Sequence, residues 1–208
     1  MNTKQLHIGV NLGLQKIASN INDEFLPEEI DYFLNEAVKD YIKMQFSSVK
    51  NEDRNIESQF VSENLRTLVS TVDLSNLETV TYLPNSIRGS LPADYLYYIF
   101  ARVYSNNQWK NCRRLEPKGI KDFVETEFNS PIFREYPLLI ENDKVIIIGS
   151  SIDQLNTSNQ ISFTYIQKPN VVDYESPEVE LALPQHTHNE IVDIAVNKIL
   201  RIINPQQE

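Results

Sequence analysis

Seven apolar residues between Ile30 and Ile42 recur at the spacing of one helix face. Ile30, Phe33, Leu34, Ala37, Val38, Tyr41 and Ile42 stand at i, i+3, i+4, i+7, i+8, i+11 and i+12. A stripe this wide must be covered, so the sequence predicts a helix over about Pro27–Phe46 and a partner for it. Pro27 suits the first turn, and Glu28, Glu29 and Asp31 lie where the helix dipole favours negative charge. The partner is predicted at the far end of the chain. There Ile191, Ile194, Ala195, Ile199 and Ile202 make a matching stripe over Thr187–Ile203. Two more helices are predicted early. Thr3–Ser19 carries Leu6, Val10, Leu14 and Ile17 on one face, and Ile56–Ser70 turns Phe60, Leu65, Leu68 and Val69 inward.

The middle of the chain changes texture. Thr79–Leu83 is β-branched and aromatic, and Pro84-Asn85 stops it. Tyr95–Ser105 and Trp109–Leu115 flank the turn residues Asn106-Asn107-Gln108, which reads as a hairpin. Tyr136–Ile140 and Lys144–Ile148 flank Glu141-Asn142-Asp143 and read as a second. Gln160–Gln167 alternates Ile161, Phe163 and Tyr165. Pro117–Phe128 interrupts the strands with the pattern of a short helix. The expected fold class is α+β: N-terminal helices, an antiparallel β-sheet core of at least five strands with an inserted helix, and a closing C-terminal helix. Residues 1–208 are read as a single structural domain. It comprises a helical part over 1–70, mostly antiparallel strands over 71–169, and an acidic loop and final helix over 170–208.

Charge narrows the function. The chain has 19 basic and 29 acidic residues, a net charge of −10. Residues 1–70 hold 7 basic and 11 acidic residues, 71–169 hold 10 and 11, and 170–208 hold 2 and 7. Such a balance argues against gripping nucleic-acid phosphates and against coating an anionic membrane. Glycine is 5 of 208 residues, about 2.4% against a usual ~7%, which leaves little for phosphate-cradling loops. Asn and Ile together are 43 of 208, the mark of an AT-rich genome rather than of any chemistry. A lone cysteine, Cys112, excludes an internal disulfide. Met1–Gln5 lacks the features of a signal peptide, and the longest apolar run, Val145–Ile148, is strand-sized. The expectation is a soluble protein made in a cytoplasm, with no membrane partner.

The candidate chemistry is thin. No GxxxxGK(S/T), GxGxxG, HExxH or GxSxG motif is present. His186-x-His188 can share a metal only with a third ligand, and Cys112 or His7 would have to come from far along the chain. Capping or packing at the start of the last helix is the simpler reading. Glu28/Glu29 and Glu178/Glu180 fall at a helix start and in a loop, where solvation explains them. Arg113 and Arg114 can lower the pKa of Cys112, though an ordinary half-buried thiol is simpler. Tyr95, Tyr97 and Tyr98 suit sheet packing better than base stacking. No catalytic residue, metal or cofactor is therefore expected. Arg113, Arg114, Lys118 and Lys121 form the local basic cluster and read as a partner-binding rim. Asp173, Glu175, Glu178 and Glu180, with Pro177, read as an acidic exposed loop.

Three stretches carry a resemblance. Leu183-Pro184-Gln185-His186-Thr187-His188-Asn189-Glu190-Ile191-Val192-Asp193-Ile194-Ala195 resembles the lead-in to the final helix in head-to-tail adaptor, or connector ring, proteins of short-tailed and crAss-like bacteriophages. Ser90-Leu91-Pro92-Ala93-Asp94-Tyr95-Leu96 resembles that family's proline-marked step into a strand. Leu26–Ala37, with Asn35 and Ala37, resembles its first long helix. The resemblance implies a non-enzymatic virion protein at the head–tail junction, assembled in the bacterial host cytoplasm. It implies a homo-oligomeric ring of about twelve copies whose head-to-tail contacts close. The portal protein and further tail or ring proteins are the implied partners, and DNA passes through without specific binding. In that setting Asp173, Glu175, Glu178 and Glu180 are candidate lumen acids that repel phosphates. Only Asn204–Glu208 follow the last helix, so a long portal-docking tail is not expected. Asn204 and Pro205 join the basic cluster as candidate interface residues. The rival readings are another capsid or tail accessory protein, or a small α+β enzyme or ligand-binding protein.

Overall fold

A computed structural model describes residues 1–17, 25–50, 63–83, 85–116, 135–149 and 154–203. The chain divides into two compact units, one of residues 1–69 and 168–208 and one of residues 70–167. These boundaries fall within two residues of the changes in sequence texture. Among the described residues three α-helices and eight strands are formed, which makes the class α+β.

The first unit contains α1 (Thr3–Ile17), α2 (Pro27–Lys50) and α3 (His188–Ile203). The starts of α1 and α2 are held by side chains from their own sequence. Asn2 Oδ1 accepts from the Gln5 amide at 3.0 Å, and Gln5 Oε1 accepts from the Asn2 amide at 3.1 Å, a reciprocal capping box. The Leu26 amide donates to Glu29 Oε2 at 2.9 Å ahead of α2. A single 3₁₀ turn, Gln185–Thr187, leads into α3. The expected partnership holds: α3 packs on α2, and also on α1. Ile30, Leu34, Ala37, Val38, Tyr41 and Ile42 are buried, the Ile, Leu and Val side chains contributing roughly 1.5–3 kcal/mol each. Phe33 is only half-buried and meets Tyr32 edge-on. The stripe of α3 is rotated from the expected one. Val192 and Val196 are buried beside Ile191, Ala195 and Ile199, whereas Ile202 is exposed.

Glycines on α1 explain that rotation. A Cβ on Gly9 would stand 3.3 Å from the Val192 methyls, and one on Gly13 would stand 2.7 Å from Val196 Cγ2. The two positions are one turn apart, as are the two valines, so the missing side chains let α1 and α3 approach closely.

The second unit is an eight-stranded sheet: β1 (Val69–Asp73, whose first residue belongs to the first unit), β2 (Glu78–Thr79), β3 (Ser86–Ser90), β4 (Tyr95–Ser105), β5 (Gln108–Arg114), β6 (Tyr136–Glu141), β7 (Lys144–Ile148) and β8 (Gln160–Gln167). Their order is β1-β8-β4-β5-β6-β7-β3-β2. Both expected hairpins form. Asn106 and Asn107, at φ 50° and 62°, supply the two left-handed residues of a tight turn between β4 and β5. Asn142 at φ 51° does similar work between β6 and β7. Val145 and Ile147 enter one apolar cluster and Ile146 and Ile148 another, so β7 is buried on both faces. Double-sided burial is the reason for its uninterrupted apolar run.

Several expectations need correction. The sheet is mixed rather than antiparallel, because β5 and β6 run parallel with Cys112, Arg113 and Arg114 opposite Tyr136, Pro137 and Leu138. A parallel pair needs a long return connection, which residues 115–135 supply. Of the expected helix Ile56–Ser70, residues 56–62 lie outside the described residues, and the rest is not α-helical. One 3₁₀ turn, Arg66–Leu68, runs straight into β1. Thr67, Val69, Thr71 and Val72 are β-branched and favour extension there. Of Thr79–Leu83 only Thr79 is paired, as part of β2; Val80 then turns into the core. The inserted helix Pro117–Phe128 lies outside the described residues. Strand β3 was not foreseen; its Ser-Ile-Arg-Gly-Ser sequence carries one strong strand former, and its pairing with β7 and β2 places it.

Candidate functional site

Two surfaces carry exposed chemistry, one in each unit. In the first unit the acidic residues stand on a fixed strap, not a loose loop. Asn35 of α2 holds its start from both sides: Nδ2 donates to Val172 O and Oδ1 accepts from the Val172 amide, both at 2.9 Å. Asp31, one turn earlier, accepts the Tyr174 amide at 2.8 Å through Oδ2. Its other oxygen, Oδ1, meets Nε2 of buried His7 at 2.8 Å. The His7 and Tyr174 rings lie 5.2 Å apart. Further along, the Thr3 amide donates to Val179 O at 3.1 Å, and Asn2 bridges to Glu180. The Asp31–His7 pair looks like an acid–base dyad, but Oδ2 is taken by the Tyr174 amide of the strap and Oδ1 ties α2 to α1 through His7.

Asp173, Glu175, Glu178 and Glu180 are all exposed along it. Asp173 Oδ1 accepts the Glu175 amide at 3.0 Å, which shapes the turn. Val171, Tyr174 and Val179 are exposed between these acids. The strap therefore presents alternating carboxylates and apolar groups.

In the second unit the outward side of β4 and β5 presents Phe100, Arg102, Tyr104 and Trp109. Antiparallel register places Tyr104 opposite Trp109 and Arg102 opposite Asn111. The Arg102 guanidinium lies 5.2 Å from the Trp109 ring centre and 5.8 Å from that of Phe100. Tyr104 and Trp109 are tilted together at 5.3 Å. Arg102 Nε is buried with no hydrogen-bond partner among the described residues. Phe100, Tyr104 and Trp109 are 36%, 37% and 44% exposed, enough for each ring to offer area to a partner. Sequence reading passed over this face. Its signal was the alternation Phe-x-Arg-x-Tyr followed by an Asn-Asn turn and Trp.

The expected interface residues are brought together only in part. Arg113 and Arg114 are exposed at the end of β5. Alternation puts Arg113 on the side of Trp109 and Asn111, and Arg114 on the opposite side. Lys118, Lys121, Asn204 and Pro205 lie outside the described residues. The arginines do not activate Cys112. It is 9% exposed, and burial, aided by Glu135, pushes its thiol far above the usual range. Tyr95 and Tyr98 face the core, against Phe163 at 5.9 and 5.7 Å. Register shifts at Tyr95/Tyr97 and Tyr98/Phe100 allow both to point the same way.

The two histidines of the final segment separate. His186 Nε2 pairs with Asn64 Oδ1 at 2.7 Å, while buried His188 donates from Nε2 to Leu183 O at 2.7 Å. Its Nδ1 faces the Met1 amine at 2.6 Å. Burial lowers the His188 pKa, partly opposed by the Leu183 carbonyl. Among the described residues no group of three or more His, Cys, Asp or Glu could hold a metal. No helix of the described residues is long and apolar enough to cross a membrane. No protein-family model matches the chain, and no curated protein matches it.

Proposed function

We propose that the chain is a bacteriophage virion structural protein. In this reading it forms an oligomeric ring between portal and tail and serves as a passive conduit for DNA during packaging and ejection. One observation carries the reading: each stretch that resembles the connector family sits at a joint of the fold. The Leu26 carbonyl accepts the Glu29 and Ile30 amides at the start of α2. Before β4, the Leu91 amide bonds to Asp143 O and the Tyr95 amide to Pro92 O. Asp94 there accepts the Tyr165 hydroxyl at 2.8 Å. Buried Leu183 and His188 lock the start of α3. These residues set where helices and strands begin, which is the kind of constraint a shared architecture imposes. The net charge of −10 adds support, since a conduit must not hold the duplex that slides through it.

Negative-stain imaging of the purified full chain tests this directly. Closed rings of uniform diameter are expected, and monomers at every concentration would overturn the reading. A gel-shift titration of duplex DNA at about 50 mM salt, where attraction is least screened, is expected to show no micromolar complex. Measured turnover, or a stoichiometric bound small molecule, would favour the rival reading of an enzyme or ligand-binding protein.

A further inference from the structure

We propose that copies of this chain join head to tail. The outward β4–β5 face of one copy, with Phe100, Arg102, Tyr104, Trp109 and Arg113, seats the acidic strap Val171–Glu180 of the next. Naming this contact as the seam of a ring rests on the proposed function; the contact itself does not require the ring to close.

The two surfaces are complementary in kind. The sheet face offers the Arg102 guanidinium framed by aromatic rings, with Arg113 on the same side, and these are the residue types that dominate interface energetics. The strap offers four carboxylates with Val171, Tyr174 and Val179 exposed among them. Arg102 is already held over its rings, so little ordering remains to be done when a carboxylate arrives. The strap is similarly preorganised by Asn35, Asp31 and Thr3. Within a single copy the strap acids are exposed, as are Phe100, Tyr104, Trp109 and Arg113, with Arg102 half-buried among the rings.

Neither surface can pair with itself. Two copies of the sheet face would oppose arginines, and two straps would oppose carboxylates. A two-fold contact made by either patch alone is therefore disfavoured, and a heterologous contact, which generates rings or filaments, is favoured. Nucleic acid is a poorer occupant, since a face with Arg102 and Arg113 offers too few cations to release many counterions. Under this proposal Asp173, Glu175, Glu178 and Glu180 lie in the subunit contact rather than along a lumen.

The test uses two full-length variants, each blocked on one surface. Trp109→Ala/Arg113→Ala strips the sheet face at exposed positions, and Glu175→Lys/Glu178→Lys reverses the strap. Melting curves close to that of the parent chain confirm folding. Each variant alone is expected to sediment as a monomer, with association weakened about 30-fold or more. Mixed together, they are expected to form a 1:1 dimer and nothing larger, because one intact contact remains. Raising salt is expected to weaken that dimer. Variants that assemble like the parent chain would overturn the contact and leave the ring reading standing. A mixture that stays monomeric would also overturn it. Parent chains that form open filaments, lost in both variants, would support the contact and overturn the ring.

Discussion

The helical unit and the sheet unit solve the same burial problem by different means. In the helical unit each stripe is written locally, at three- and four-residue spacing, and three helices cover one another. In the sheet unit each strand finds neighbours far away in sequence. β8 lies between β1 and β4, β3 lies between β2 and β7, and β5 meets β6 in parallel. One side of β3–β8 feeds a single cluster from Leu74 to Tyr165, so the sheet curls around its own core. The lesson is that a helix declares its buried face along its own length, whereas a strand declares only a face and leaves its neighbours to the fold.

The largest effects should come from the two cores, and they set the comparison on a common scale. Phe163→Ala removes a fully buried ring that touches Tyr95, Tyr98 and Tyr165. It should cost about 3–5 kcal/mol in denaturant unfolding, and Leu34→Ala in the helical core about 2–5. Phe33→Ala should cost less than Leu34→Ala, because Phe33 is half-buried. The reverse order would break the assignment of the α2 face.

Next comes the α1–α3 approach. Gly13→Leu should cost about 1–3 kcal/mol through overpacking against Val196, despite leucine's better helix propensity. Adding Val196→Ala should restore part of the loss. A Gly13→Leu chain as stable as the parent would show that α1 and α3 are not closely apposed.

The strap gives an effect of comparable size. Asn35→Ala removes both bonds to Val172 and should cost about 1–3 kcal/mol. Hydrogen exchange should quicken at the Val172 and Tyr174 amides more than in β4. Unchanged protection there would mean the strap does not depend on Asn35.

The smallest effect is that of pH on the helical unit. The folded pKa of His188 lies below its unfolded value, about 6.5. The unfolded chain then binds the extra proton first, so the stability from neutral His188 is complete above about 6.5 and is lost as pH falls through the folded value. His188→Gln should flatten the fall in melting temperature between about pH 7 and 5 relative to the parent. Parallel curves for the two proteins would remove His188 from the acid sensitivity.

Legibility followed the same divide. Tyr95–Ser105, Lys144–Ile148 and Gln160–Gln167 could be placed to the residue, since alternation and Asn turns are local signals. All five non-glycine residues with positive φ are asparagines, at 76, 85, 106, 107 and 142, among the described residues. In a glycine-poor chain asparagine takes over the left-handed positions, so an abundance that looked purely genomic has a conformational use. The acidic segment was visible as charge, but its clamp was not, because Asn35 and Asp31 are 137 and 143 residues from their strap partners. The Arg102 face was spelled out as alternation, yet only pairing with Trp109 across the hairpin turned those residues into one surface.

By itself, then, the sequence determined α1, α2 and α3, the two hairpins and the α+β class, because their hydrophobic periods and turn residues act over a few positions. Only the tertiary structure decided the strand order, the parallel β5–β6 pair, the close approach of Gly9 and Gly13 to α3, and the anchoring of the strap. Those features depend on contacts between distant segments, and a local pattern shows what must be buried without naming what will cover it.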